Sequence, residues 1–243
     1  MTNTTDTLTQ TLSGIDSTDL THDAPAGIAP HIDARPAFAK AVTIGRSVLA
    51  SLDPAQFGLP TPCPDFDVRT LASHLVAVLR RIAVIGRRQD AHSVGDFADE
   101  IVPEGWLRAY DEFAADAFDV WSDDTLLPDT LNPGWATMPG AAVIMIYTSE
   151  VTVHTWDLAV ATGQTPTWDD DVIAISLAAM QRGLPAEGRM ARFGVIDGQL
   201  PEVEPPFLDA VGVESAARPI DALVAWCGRT PTTTSTTASM PMS

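Results

Sequence analysis

The chain has 243 residues, 45% of them apolar, and a formal net charge of −18. That length allows one sizeable domain, or two small ones, with a real core, and the mean hydropathy of +0.08 is that of a soluble globular chain with no apolar run near the about 20 residues that cross a bilayer. A single lysine, Lys40, in so acidic a chain argues against a nucleic-acid backbone or an anionic membrane as partner, leaving room only for a local arginine pocket that takes a small anion.

In chain order, residues 1–30 are rich in Thr, Asp, Ser and Gly and have few large apolar side chains, so a disordered acidic arm is expected there. Its start has neither the basic nor the apolar part of a signal peptide, and the expected location is the cytoplasm. The folded unit is expected over 31–230, followed by a disordered Thr- and Ser-rich tail over 231–243. Within it, "DARPAFAKAVTIGRSVLASLD" sets Phe38, Val42, Val48, Leu49 and Leu52 roughly on one helical face, and the prolines of "PAQFGLPTPCPDFD" end that helix. Asp67 is a suitable N-cap for "VRTLASHLVAVLRRIAVIGRR", where Leu71, Leu75, Val78, Ile82 and Ile85 recur at helical spacing.

An acidic third helix is expected in "PEGWLRAYDEFAADAFDVWSD", and "DTLLPDTLNPGWATMPG" reads as a turn or short hairpin. The fourth segment, 139–162, is rich in β-branched residues, but twenty-odd residues without a turn signal favour helix over strand. Two more helices are expected in "DDDVIAISLAAMQRG" and "SAARPIDALVAWCG". The sum is an all-α four-helix bundle with additional C-terminal helices and a short turn or hairpin before the fourth helix.

Five histidines are present; His22 and His31 lie in or beside the arm and His92 among polar residues, all three expected to face solvent. His74 lies three residues after Leu71 and four before Val78, on their inward stripe. Glu150 follows Ile146 by four and precedes His154 by four, so these lie one above another on one helix face. If both stripes face one interior, a carboxylate and two imidazoles meet there. An ionised carboxylate among apolar groups must be paired, neutralised or bound to a cation, and two histidines with one carboxylate form the ligand set of open zinc sites. A plain Glu–His salt bridge and a hydrogen-bonded core histidine fit the same spacing. The two cysteines, Cys63 and Cys227, each lack a near neighbour of their kind, which excludes a disulfide framework and a four-cysteine zinc site.

Three blocks, "TPCPDFDVRTLASHL" (61–75), "SEVTVHTWDLAVATGQ" (149–164) and "ALVAWCGRTP" (222–231), together resemble the actinobacterial metal-binding proteins related to mycothiol-dependent maleylpyruvate isomerase, within the DinB-like helical bundles. The resemblance spans about residues 31–231 and implies a DinB-like bundle in which His74, Glu150 and His154 hold a divalent metal. Zn2+ suits that donor set, and Ni2+ or iron is the alternative. Asp157, in the family's H-x-W-D run, is expected either to orient a metal ligand or to be a surface carboxylate, while Trp156 is expected to pack. Cys63, in the T-P-C-P turn, is expected to be structural. Arg229 matches the family's terminal G-R-x-P, and the resemblance implies that it helps hold substrate as a catalytic residue, with a solvated side chain as the alternative. Arg80 and Arg81, about two turns beyond His74, are the candidate cofactor-binding arginines for an anionic ligand, with solvated side chains as the alternative.

The implied function is that of a mycothiol-dependent isomerase or S-transferase, in which a metal-bound thiolate attacks a small electrophile. A zinc-hydroxide hydrolase and a non-catalytic bundle that binds metal or a small ligand are the alternatives. The expected partners are thus a low-molecular-weight thiol and a small electrophilic molecule, with no nucleic acid and no membrane. No nucleophile triad or phosphate-cradling loop competes, and "GLPAEGRM" lacks the strand–turn–helix context of a nucleotide loop.

Overall fold

A computed structural model describes residues 32–189, 207–214 and 217–231. The arm expected over 1–30, with His22 and His31 beside it, and the tail beyond Pro231 lie outside the described residues. The described residues form six helices: α1 (Arg35–Ala50), α2 (Val68–Gly86), α3 (Trp106–Val120), α4 (Gly140–Thr162), α5 (Asp170–Gly183) and α6 (Pro219–Trp226). Between α3 and α4, β1 (Thr130–Leu131) and β2 (Met138–Pro139) pair antiparallel, so the proline- and glycine-rich stretch is a short hairpin.

The first four helices make the bundle. α1 packs against α3 and α4, and α2 packs against the same two. The apolar stripe of α2 is fully inside: Leu71, Leu75, Val78, Ile82 and Ile85 are all buried, as are Phe38, Val42, Val48 and Leu49 of α1. Leu52, expected on the α1 stripe, lies just past the helix end and is only partly covered. Asp67 starts α2 by accepting a hydrogen bond from the Thr70 amide at 2.7 Å, which satisfies one of the free amides of the first turn.

α4 decides the architecture. It is buried along most of its length from Val143 through Ala159, with only Ile146 and Glu150 partly exposed in that stretch, the pattern of a helix enclosed by its neighbours. The bundle covers one side, and α5 and α6 cover another. A second apolar cluster forms there, joining Val153 and Trp156 of α4 to Ile173 and Met180 of α5 and Ile220, Leu223 and Val224 of α6. Two buried hydroxyls of α4 are satisfied within the helix, Thr148 donating to the Ile144 carbonyl at 2.7 Å and Thr152 to that of Thr148 at 2.6 Å, whereas the buried Thr155 hydroxyl has no hydrogen-bond partner among the described residues. The helix ends at Gly163 in the left-handed conformation, with φ of 71°. Among the described residues no helix is long and apolar enough to cross a membrane.

Candidate metal centre

α2 and α4 touch inside the bundle, and at that contact the two inward stripes bring His74, Glu150 and His154 together. His74 Nε2 lies 3.1 Å from Glu150 Oε1, and His154 Nε2 lies 3.4 Å from the same oxygen. The two imidazoles are edge to face, with ring centroids 5.1 Å apart. Both histidines are buried, while the Glu150 side chain is 23% exposed, so the centre reaches solvent on the carboxylate side.

The far nitrogen of each ring is already committed. His74 Nδ1 lies 2.7 Å from the Asp96 carbonyl, which can only accept, so Nδ1 carries the hydrogen. His154 Nδ1 lies 3.2 Å from Asp157 Oδ2, again an acceptor when ionised. Both Nε2 atoms are thereby left to face the carboxylate. Three acceptor atoms so placed repel one another unless a proton or a cation stands among them. Bonds of about 2.0–2.1 Å to one tetrahedral zinc would set its ligand atoms about 3.3 Å apart, close to the two separations found. The donor set and the oriented rings both fit a divalent cation.

Burial works against the Glu150 carboxylate, yet the charge and hydrogen bonds of His154 and His74 hold its pKa well below the usual carboxyl range. Burial also opposes a charged His154. The charge of Glu150, with hydrogen bonds from the ring to Asp157 and Cys63, outweighs it and lifts the imidazole well above its usual value. A carboxylate and an imidazolium thus compensate each other in the protein alone, the balance a metal ion would take over.

Asp157 is fully buried, so the surface-carboxylate alternative does not hold. It lies between His154 and Arg229, whose Nη2 donates to Oδ2 at 2.9 Å and Nε to Oδ1 at 3.2 Å. Arg229 is 2% exposed and also donates to the Cys227 carbonyl at 2.8 Å. Its guanidinium faces Asp157 and lies over the Phe207 ring, 5.3 Å from the centroid. Arg81 pairs with Asp96 at 2.6 Å and donates to the Val94 carbonyl, which ties it to the segment that holds His74. Arg80 pairs with Glu100 at 2.8 Å on the surface. Trp156 packs in the cluster between α4, α5 and α6. His92 is exposed, 3.2 Å from the Gly134 carbonyl.

Arg229 reaches Asp157 because the chain turns sharply at Gly228, where φ is 80° and a Cβ would stand 2.6 Å from the Leu208 carbonyl oxygen. Gly163 has a similar φ of 71° with nothing near its missing Cβ. Alanine at 163 therefore meets only the left-handed penalty, about 1–2 kcal/mol, whereas alanine at 228 meets the clash as well. Urea midpoints are expected to fall clearly further for Gly228→Ala than for Gly163→Ala; equal shifts would show that the Leu208 approach is unimportant.

Cys63 was not visible as a neighbour of the site from sequence. Its turn is closed by Thr61, whose hydroxyl donates to the Phe66 carbonyl at 2.8 Å and accepts from the Cys63 amide at 3.2 Å. The thiol is delivered to the Asp157 side of His154, and Cys63, His154 and Asp157 each offer a ligand atom within 4.8 Å of the others. That second group does not suit a cation, because Arg229 already neutralises Asp157 through both oxygens. Both thiols are buried, and burial pushes Cys227 up to about 12. Neither cysteine is expected to react with a bulky disulfide reagent in the native protein, and both are expected to react after unfolding. Prompt reaction of one thiol in the native state would contradict this packing.

The comparisons bear on the same segments. Two uncharacterized proteins of Mycobacterium tuberculosis, MT0763 (strain CDC 1551 / Oshkosh) and Rv0738 (strain ATCC 25618 / H37Rv), are each 28% identical over 189 residues, 76% of this chain and 91% of theirs. Crystal structures of the mycothiol-dependent maleylpyruvate isomerase and of a histidine-to-alanine variant of it align with TM-scores of 0.44 and 0.45 at 12% and 14% identity. Each alignment covers 60% of this chain and 65% of the isomerase chain. The family model for the mycothiol maleylpyruvate isomerase N-terminal domain matches residues 38–159, which hold all of α2, the hairpin and the three clustered side chains. The chain belongs to the mycothiol maleylpyruvate isomerase N-terminal domain family.

Proposed function

We propose that this protein is a metal-dependent thiol enzyme in which His74, Glu150 and His154 hold one divalent cation, Zn2+ by preference, and a low-molecular-weight thiol is the attacking group. The observation that carries the reading is the convergence of two Nε2 atoms on one carboxylate oxygen while both Nδ1 atoms are held by acceptors. Family membership points to mycothiol as the thiol and to a small electrophile as its target, converted by an isomerase or an S-transferase.

Bound there, the ion would supply Lewis acidity that lowers the pKa of a thiol. The chain's own residues do the rest. His74 and His154 present oriented lone pairs, and Glu150 brings the negative charge that makes a dication welcome in an apolar interior. Asp157 fixes the tautomer and the ring plane of His154, and Arg229 holds Asp157 in turn. Arg229 thus acts as a positioning residue rather than as a direct substrate ligand. Arg81 steadies the Asp96 segment that orients His74, and Arg80 is held in an ion pair with Glu100 at the surface. The thiol proton leaves to solvent on the Glu150 side, the exposed edge of the centre, and the sulfur lone pair then forms the S–C bond as the electrophile's π bond opens in the isomerase case, or as its leaving group departs with the bonding pair in the S-transferase case.

Zinc-loaded protein with mycothiol and a panel of electrophiles is expected to consume thiol in a metal-dependent way. Turnover that needs metal but no thiol would overturn the reading in favour of a hydrolase. Asp157→Asn is expected to weaken zinc by about 10–100-fold, the usual effect of losing a carboxylate that orients a metal-bound histidine. A chromophoric chelator competition measures this directly, and an unchanged affinity would remove Asp157 from the machinery.

A further inference from the structure

Two buried N–H donors in the C-terminal part of the fold lie close together, and neither meets an acceptor among the described residues. Arg189, just beyond α5, is fully buried, and only neutral groups hold its guanidinium. Nε donates to the Pro185 carbonyl at 2.6 Å and Nη1 to the Leu208 carbonyl, while Nη2 has no hydrogen-bond partner. Asp209 is committed to the backbone, its oxygens accepting from the Gly188 and Arg189 amides at 3.0 and 2.8 Å. The guanidinium carbon stands 5.7 Å from the centroid of the Trp226 ring, at the end of α6. The second donor is the indole Nε1 of that same Trp226, which is also buried.

Such donors are rare in a folded chain, because each has given up its hydrogen bonds to water and gained none in return. A buried guanidinium also needs a counter-charge. Arg229 shows the need met from within the chain, with two of its nitrogens on the oxygens of Asp157. Arg189 has no such carboxylate among the described residues. One positive charge with two N–H donors calls for one negative charge carried on two oxygens. A carboxylate has that composition, and with each oxygen accepting at about 2.9 Å it bridges donors several ångströms apart. A phosphate dianion brings more charge and more oxygens than these donors answer, to a chain whose net charge is already −18.

One short segment joins this place to the metal centre. Leu208, whose carbonyl holds Nη1, follows Phe207, whose ring stacks on His154 with centroids 6.4 Å apart. We propose that Arg189 and Trp226 form a binding site for the carboxylate group of a small ligand, apart from the cation site of His74, Glu150 and His154. The proposal goes beyond the thiol-enzyme reading and does not depend on it.

The test is an N–H correlation NMR titration of the isotope-labelled full chain, with and without zinc. The probes are acetate, its neutral counterpart acetamide, and inorganic phosphate. The Trp226 indole signal, assigned by its loss in Trp226→Phe, is expected to move saturably downfield with acetate, equally in both metal states. Acetate is expected to bind at least about tenfold tighter than acetamide or phosphate, which corresponds to about 1.4 kcal/mol. Arg189→Gln is expected to weaken acetate by about tenfold or more, and Arg189→Lys, which keeps the charge but not the planar fork, by less. Indole signals of the other tryptophans report whether each variant is folded; should Arg189→Gln not be, Arg189→Lys carries the comparison. No saturable movement, an equal response to acetamide, tighter binding of phosphate, or unchanged acetate affinity in the Arg189 variants would overturn the proposal. Movement only in the presence of zinc would place the acetate on the ion and overturn it equally. Acetate binding without metal-dependent thiol consumption would leave the proposal standing and defeat the thiol reading. Thiol consumption with no acetate response at Trp226 would do the reverse.

Discussion

Arg229→Met is expected to destabilise the protein by about 3–5 kcal/mol, the usual cost of breaking a buried ion pair by removing one partner. The reason is Asp157. It is fully buried and its two oxygens are met by one guanidinium fork and one imidazole edge. Methionine fills much of the arginine's volume, so the loss is electrostatic more than steric. In a chain of this size that amounts to a fall in Tm of about 10 °C or more. Arg229→Lys keeps a charge but loses the two-pronged geometry, and an intermediate loss is expected. Adding Asp157→Asn to Arg229→Met removes the stranded carboxylate, so the double variant is expected to be more stable than Arg229→Met alone. Urea unfolding of the metal-free wild type, Arg229→Met, Arg229→Lys, Asp157→Asn and the double variant measures the series, and additive losses of Arg229→Met and Asp157→Asn would show that the two side chains do not act as a pair. The pair also carries a structural consequence: a residue beyond α6 braces a side chain of α4, so the C-terminal segment and the bundle core are energetically joined.

Much of the bundle was legible because its signals are local. The α2 stripe and the Asp67 cap lie within one helix and the residue before it, and the hairpin before α4 follows from its prolines and glycines. α4 was harder, since its β-branched residues suit a strand and it shows no polar face. Length decided correctly, and the structure supplies the reason: α5 and α6 cover the side that a simple bundle would leave to water. Spacing placed His74, Glu150 and His154 on inward stripes but could not bring two helices together; only the three-block resemblance did that. What stayed hidden has no side-chain signature at a distance. The acceptor for His74 is a backbone carbonyl at Asp96, and Phe97 and Phe207 belong to loops whose path no periodicity reports. Cys63 precedes α2 by several residues, which suggested distance from the site, yet the Thr61-closed turn folds it back onto His154. Arg229 was legible as a family position but not as a buried one.

The second large effect concerns the cation. A ligand that binds only the folded state stabilises it by about 4 kcal/mol at a free concentration a thousandfold above its Kd, so zinc is expected to raise the Tm of the wild-type protein by about 10 °C. His74→Ala and Glu150→Gln are expected to abolish that increment, for different reasons. His74→Ala removes one of two nitrogen donors together with the Asp96 hydrogen bond. Its metal-free form should therefore also be less stable than wild type, and only the difference between samples with and without zinc isolates the metal. Glu150→Gln keeps the shape of the side chain but withdraws the negative charge that faces both imidazoles. Replacing a dication's one anionic ligand with an amide leaves the ion's charge poorly compensated in a buried site. Cobalt supplies an independent readout, because a four-coordinate Co2+ has intense visible d–d bands that should appear on titrating wild type and be lost in both variants. If either variant keeps the zinc increment and the cobalt bands, its residue does not ligate the ion. If both keep them, the cation sits elsewhere, and the meeting of the α2 and α4 stripes is a buried carboxylate–imidazole network and nothing more.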